Sequence, residues 1–268
     1  MGQSFRDLHV PGNPFILANA WDKGTARLFA GLGAQALATS SGALSFSLGR
    51  TDMGNVTRDE ALAHAQEIVS ATSLPVSGDF ENGFGDSPDC VAETVALAAE
   101  IGLAGISIED MQLPQVRAYD FALAVERIKA ASAKARSLPD DFVLVARADG
   151  PMNEQYDLDE AIKRIQAFEA AGADCVYVPY LSDLESVARV CSSVSIPVNV
   201  SISNVQSEPL SALAMAGVAR ISMGQALATA AHSTLYKICE DMFARGDFSR
   251  LKASLSYVDI DAAMLKGQ

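Results

Sequence analysis

The sequence predicts an α/β fold, a (β/α)8 barrel carrying a C-terminal helical extension. Three observations lead there. Short apolar runs rich in Val, Ile, Leu and Ala alternate with longer amphipathic stretches along the 268-residue chain. Eight such strand–helix units at a spacing of roughly 30 residues fill about 250 residues, the size of a closed eight-stranded barrel. Polar and charged residues collect just past the ends of the apolar runs, where such barrels carry their sites. A doubly wound open sheet is the structural alternative, but no Gly-x-Gly-x-x-Gly follows the first strand.

The elements follow in order. Strands are expected at 15–20, 34–39, 76–79, 105–109, 142–147, 175–179, 197–200 and 219–222, each a short apolar run. Helices are expected near 23–31, 58–72, 88–102, 121–135, 158–171, 183–191, 209–216 and 225–244, where the apolar spacing lengthens to that of a helix face. Gly33, Gly102, Gly172 and Gly217 each follow an apolar helical turn, the place of a C-terminal cap. Asp22, Ser40 and Asp183 stand where N-caps stand. The segment 248–268 lies past the eighth unit. It is either a helix packing locally or a helical arm reaching a neighbouring subunit, on an otherwise single barrel domain spanning 1–268.

Composition narrows the partners. Hydrophobic residues make up 49%, enough for a large core, and the formal net charge is -13. An acidic chain disfavours nucleic acid, which needs clustered Lys and Arg. No apolar stretch approaches about 18–20 uninterrupted residues, so no membrane span is expected. The start lacks an apolar signal region. Gly2 suggests a myristoylation site, but Arg6 stands where that pattern wants Ser or Thr. Cys90, Cys175, Cys191 and Cys239 are scattered and read as buried free thiols of a cytoplasmic protein.

The densest signal is Ser77-Gly78-Asp79-Phe80-Glu81-Asn82-Gly83-Phe84-Gly85. In extended chain alternate side chains share a face, so Asp79 and Glu81 aim at one point. Two hard carboxylates at a strand mouth suit Mg²⁺ or Mn²⁺; a solvated strand-end turn is the alternative. The other strand ends offer Asn19, Trp21 and Asp22; Ser40, Ser41 and Gly42; Glu109 and Asp110; Arg147 and Asp149; Pro179 and Tyr180; Asn199 and Ser201; Gly224 and Gln225. Ser40-Ser41-Gly42-Ala43, with small side chains and accessible N–H groups, reads as an anion-binding loop. Arg147 closes a buried strand, where a guanidinium pairs with a substrate carboxylate or a neighbouring acid. His9, His64 and His232 end no strand, and no lysine does. Ser–His, Cys–His and Schiff-base catalysis are therefore disfavoured.

From about Asn13 to Ala230 the chain resembles the isocitrate lyase/phosphoenolpyruvate mutase superfamily. The resemblance is carried by Thr39-Ser40-Ser41-Gly42 with Leu48-Gly49-Arg50-Thr51-Asp52, by Gly78 to Gly85, by Ile108-Glu109-Asp110, by Ala146-Arg147-Ala148-Asp149 and by Pro197-Val198-Asn199-Val200. It implies a barrel that binds Mg²⁺ and a small 2-oxocarboxylate. Asp79 matches the direct metal ligand, and Asp52, Glu81 and Glu109 match acids that hold the metal's waters. Ser41 and Gly42 match donors to the substrate's carboxylate and oxo group, and Ser40 beside them is a further substrate-binding candidate. Arg147 matches the arginine that grips the substrate, and Asn199 matches a pocket-lining residue. Ser41, Arg147 and Glu109 are the catalytic candidates. The resemblance also implies a homo-oligomer, a dimer or a tetramer with swapped terminal helices.

The chain departs from the family at one point. Its lyases carry a Lys-x-Cys-Gly-His segment soon after Ile-Glu-Asp; here residues 111–120 offer only Arg117, Tyr119 and Asp120 as ionisable groups. Cleavage of a C–C bond in a small 2-oxo or 2-hydroxy (di)carboxylate through an enolate remains the implied chemistry. Decarboxylation of an oxaloacetate-like diacid ranks first, since CO₂ leaves without an acid's help. Phosphonopyruvate/phosphoenolpyruvate mutase or hydrolase chemistry and a non-catalytic 2-oxoacid-binding barrel are the alternatives.

Overall fold

The computed structural model describes residues 4–252 and 255–268. Gly2 and residues 253–254 of the C-terminal segment lie outside them. Among the described residues ten strands follow in chain order: β1 (Phe15–Asn19), β2 (Leu37–Ala38), β3 (Val76–Asp79), β4 (Gly105–Glu109), β5 (Met111–Gln112), β6 (Arg117–Ala118), β7 (Val143–Arg147), β8 (Cys175–Tyr177), β9 (Val198–Ser201) and β10 (Arg220–Ser222). Eight of them close a parallel barrel in the order β1-β10-β9-β8-β7-β4-β3-β2, while β5 and β6 form an antiparallel hairpin. Each of the eight expected strands is therefore a barrel strand.

The helices are α1 (Lys23–Gly31), α2 (Ser41–Ser47), α3 (Arg58–Val69), α4 (Pro88–Glu100), α5 (Phe121–Arg136), α6 (Leu158–Ala170), α7 (Leu184–Ser192), α8 (Leu210–Met215), α9 (Ala226–Arg245) and α10 (Tyr257–Lys266). Their ends use local chemistry. Asp22 and Thr25 close a capping box on α1, and the Asp183 side chain accepts the Ser186 N–H at the start of α7. Gly33, Gly102, Gly172 and Gly217 all adopt positive φ just past a helix. No helix among the described residues is long and apolar enough to cross a membrane.

Two cores hold the fold. Ile68, Phe80, Ile106, Leu144, Phe168 and Val176 belong to the layer between strands and helices. Each such side chain contributes about 1.5–3 kcal/mol on burial. Inside the barrel, Phe15, Leu17, Val143 and Cys175 pack with Phe5 and Leu8 from the N-terminal segment, which plugs the lower end. The upper end is left for polar groups. Of the cysteines, all of them free thiols, only Cys175 is buried; Cys90, Cys191 and Cys239 are half-buried, unlike the uniform burial expected.

Within the 248–268 segment the helix α10 packs locally. α10 packs against α1 so closely that a Cβ on Gly31 would lie 2.0 Å from the Ala263 carbonyl oxygen. α9 instead projects, burying only Ala228 and Asp241. The flank of β1 is left open: Ile16 is 51% exposed in a groove it shares with Ala18, Phe29 and Leu210.

Candidate active site

Strand register sets the site. Glu109 on β4 pairs with Arg147 on β7, Arg147 with Tyr177 on β8, Tyr177 with Asn199 on β9, and Asn199 with Arg220 on β10. Partners across parallel strands point to the same side, here the barrel interior. A cavity of about 290 Å³ at the upper end is lined by these five, by Ser40, Ser41, Gly42, Asp52, Asp79 and Glu81, and by Leu113 of the hairpin.

Asp79 is the hub. One of its oxygens, Oδ2, accepts the Ser41 N–H at 3.0 Å and the Ser41 hydroxyl at 3.1 Å. The other lies 3.0 Å from Arg147 Nη1. That same nitrogen is 3.0 Å from Glu109 Oε1. Asp149, fully buried, takes the rest of the guanidinium, with Oδ2 3.2 Å from Nε and Oδ1 2.6 Å from Nη2. Burial opposes the charge on Arg147, but Asp149, Glu109 and Asp79 together hold it protonated. The forked edge expected to grip a substrate carboxylate is thus occupied by Asp149. Pairing with a neighbouring acid is one of the two arrangements the sequence leaves open at this position.

The remaining acids are short of cations. Glu109 Oε2 and Asp52 Oδ1 are buried with no hydrogen-bond partner. Burial pushes the carboxyls of Asp52 and Glu109 up, and it pushes Glu81 up to about 7 against the Gly54 N–H that donates to it at 2.8 Å. Among the described residues no three acidic, His or Cys side chains converge to clasp an ion alone. One carboxylate hub ringed by under-paired acids fits a hydrated divalent cation, which keeps much of its water shell.

Several expected donors do other work. Ser40 N-caps α2, its hydroxyl accepting the Ala43 N–H at 3.3 Å, so its side chain is committed although it touches the cavity. The expected Ser-Gly loop is the first turn of that helix, and Gly42 matters sterically: a Cβ there would lie 2.0 Å from Gln225 Oε1 and 2.8 Å from Asp52 Oδ2. Asn199 is fully buried and donates to Ser222 Oγ at 3.0 Å. Asn19 ties strands together, accepting the N–H groups of Met223 and Gly224, each at 2.9 Å. Asp110 faces away, bonded to Tyr156, Arg164 and the Asp149 N–H. Asp22 and Asp183 are caps and line no part of the cavity. Arg220 and Tyr177 line it without having been singled out from sequence. Both fall inside the strands expected from sequence, 175–179 and 219–222, although the observed β8 ends at Tyr177 and the observed β10 begins at Arg220; a charged residue within an apolar run is the one sign of Arg220 that the sequence carries.

The hairpin brings no acid or base to the cavity. Tyr119 is buried and donates to Asp86 at 2.6 Å, Arg117 bonds to Gln112, and Asp120 caps α5. His232 is exposed on α9, beside Phe46. Tyr180 does line the cavity, at φ +70°.

Comparison with known proteins agrees with the barrel fold. The family model described as phosphoenolpyruvate phosphomutase matches residues 5–243. The 2-methylisocitrate lyase of Escherichia coli (strain K12) is 32% identical over 217 residues, covering 78% of this chain and 72% of that protein. A crystal structure from Burkholderia cenocepacia J2315 superposes with a TM-score of 0.90 at 43% identity, covering 96% of this chain and 93% of the other. Oxaloacetate acetylhydrolase in complex with oxalate shares the fold, with a TM-score of 0.84 at 22% identity, covering 97% of this chain and 92% of that one.

Proposed function

Since the chain belongs to the phosphoenolpyruvate phosphomutase family, within the isocitrate lyase/phosphoenolpyruvate mutase superfamily, we propose that it is a divalent-cation-dependent carbon–carbon lyase acting on a small 2-oxo or 2-hydroxy dicarboxylate through an enolate. One observation carries the reading. Under-paired carboxylate oxygens on Asp52 and Glu109 stand in the same small cavity as Asp79, whose Oδ2 holds the N–H and hydroxyl of Ser41 beside them, so cation-seeking groups converge on one volume.

Asp79 would hold the cation directly, with Glu81, Glu109 and Asp52 acting mainly through its waters. When bound, Mg²⁺ or Mn²⁺ supplies electrostatic stabilisation of negative charge on the substrate's oxo oxygen. Ser41 and the Gly42 backbone orient the near carboxylate. Arg147 keeps the acids of the hub together by offsetting their charge. The hairpin covers the cavity with Leu113 and offers no proton donor, which favours a step whose leaving fragment needs none. Loss of CO₂ from an oxaloacetate-like diacid is the simplest of these. The acid-free hairpin also supports a second reading, a barrel that holds a 2-oxoacid without turning it over. The superfamily's phosphorus-transferring reactions are less suited, because among the described residues no lysine lines the cavity to meet a phosphoryl group.

We also place the protein in the cytoplasm, where four free thiols remain reduced, and as a homo-oligomer in which another copy covers the apolar groove at Ile16.

The test is pyruvate release from a panel of 2-oxo and 2-hydroxy diacids, with and without Mg²⁺. Metal-dependent release, lost in Asp79→Ala together with Mg²⁺ affinity by calorimetry, is expected. Binding without product identifies the second reading. Unchanged Mg²⁺ affinity in Asp79→Ala removes Asp79 from its role.

A further inference from the structure

Arg220, the first residue of β10, has no part in the chemistry above. It is 4% exposed and lines the cavity. Its Nε donates to Asn199 Oδ1 at 2.9 Å, and Nη1 lies 3.5 Å from His9 Nε2. Burial first, and the Arg220 charge second, push the His9 imidazole down to about 3, so His9 is neutral. Among the described residues no carboxylate lies within ion-pairing distance of Arg220, whereas Arg147 has three such partners. A buried guanidinium without a counter-charge is costly and calls for an anion.

The space around it suits one. Barrel interiors are usually filled by bulky branched side chains. Here Ser77, Ser107, Ser222 and Asn199 line the cavity beside Arg220, leaving a polar well below the acids. The Ser222 hydroxyl oxygen accepts from Asn199, so its own hydrogen remains to be donated. In the closed strand order β4 and β10 are four strands apart, which puts Glu109 and Arg220 on opposite walls. Acids line one side and a lone cation stands on the other.

We propose that Arg220, with Asn199 and Ser222, receives a second carboxylate of the substrate, so that the pocket selects a dianionic 2-oxo or 2-hydroxy acid over a monoanion. Two or three donors match the two oxygens of a carboxylate better than the three of a phosphoryl group. The inference rests on the 2-oxocarboxylate reading of the site and names the residue that decides substrate class. Where the far carboxylate leaves as uncharged CO₂, the contact is made mainly with the ground state. Its loss then raises KM and leaves kcat unchanged or higher.

Calorimetry with Mg²⁺ present tests it on the full chain, using pyruvate, malate and the 4-amide of malate, which differs from malate only by the far charge. Wild type is expected to bind malate at least about tenfold more tightly than the amide, the scale of one charge-assisted contact. Arg220→Met should erase that preference while pyruvate affinity stays within about twofold, and Arg220→Lys should restore part of it. Wild type that binds pyruvate but treats malate and the amide alike overturns this inference alone, and needs no variant to fold. Wild type that binds neither pyruvate nor malate overturns the reading of the site and this inference with it. Equal loss of pyruvate and malate in a folded Arg220→Met assigns Arg220 to the scaffold.

Discussion

Glu81 shows how one side chain couples the site to the stability of the fold. It is 3% exposed at φ +44°, and its Oε1 accepts the Gly54 N–H at 2.8 Å. Burial lifts its carboxyl from about 4.5 to about 7. A folded-state value above the unfolded one means that the fold favours the protonated acid. That contribution is full below about pH 4.5 and is lost as pH rises through about 7, a loss of about 3 kcal/mol. Glu81→Gln keeps the shape and removes the titration. Denaturant unfolding should therefore show the variant gaining about 3 kcal/mol on wild type between pH 4.5 and pH 8. A constant difference across that range would mean that Glu81 is solvated rather than desolvated. Other groups, His9 among them, titrate in both proteins and cancel in the comparison.

At the scale of elements, the β5–β6 hairpin brings Leu113, but no acid or base, to the cavity. The hairpin's ionisable groups are all engaged elsewhere, Tyr119 with Asp86 and Asn82, Arg117 with Gln112, Asp120 at the start of α5. Burial and the Asp86 hydrogen bond hold the Tyr119 phenol protonated well above its usual range. A phenol so placed is neither acid nor base near neutral pH. Isocitrate and 2-methylisocitrate should therefore give no useful cleavage with saturating Mg²⁺, despite the 32% identity to a 2-methylisocitrate lyase. Glyoxylate or pyruvate formation from either at about 1 s⁻¹ or faster would show that a proton comes from elsewhere, Tyr180 being the candidate already in the cavity. Among the described strands and α-helices, α2 and the two strands of this hairpin are not expected from sequence. Ser41–Ser47 is seven residues long and opens with Ser-Gly, which reads as a turn. Strands of two residues have no period to detect.

The whole molecule leaves an apolar flank open. In a closed (β/α)8 barrel a helix covers each strand from outside, yet Ile16 on β1 is 51% exposed while α9 projects and α10 packs on α1. Leu235, Tyr236 and Phe243 are exposed along α9, a second surface in want of cover. A helix from another copy laid in the groove would satisfy both surfaces. Light scattering at micromolar concentration should then return the mass of two or more copies, and Ile16→Glu should lower it. A wild-type monomer would show that both surfaces stay exposed in solution.

The sequence by itself determined the architecture and singled out Asp52, Asp79, Glu81, Glu109 and Arg147, which all line the cavity. Apolar runs of strand length, helical periods between them, and glycines at helix ends are local features that any tertiary context must accommodate. Asp79, Glu81, Glu109 and Arg147 were legible because each follows a buried run directly, so its place at the barrel mouth needs no long-range information. Only the tertiary structure decided what each group faces. It turned Asp110 outward, set Asp149 against the fork of Arg147, and brought Arg220 into line with Asn199 across β9 and β10. The physical reason is that a side chain's partners are set by strand register and barrel closure, which join residues as far apart as Asp79 and Arg147, while the spacing read along the chain records only near neighbours.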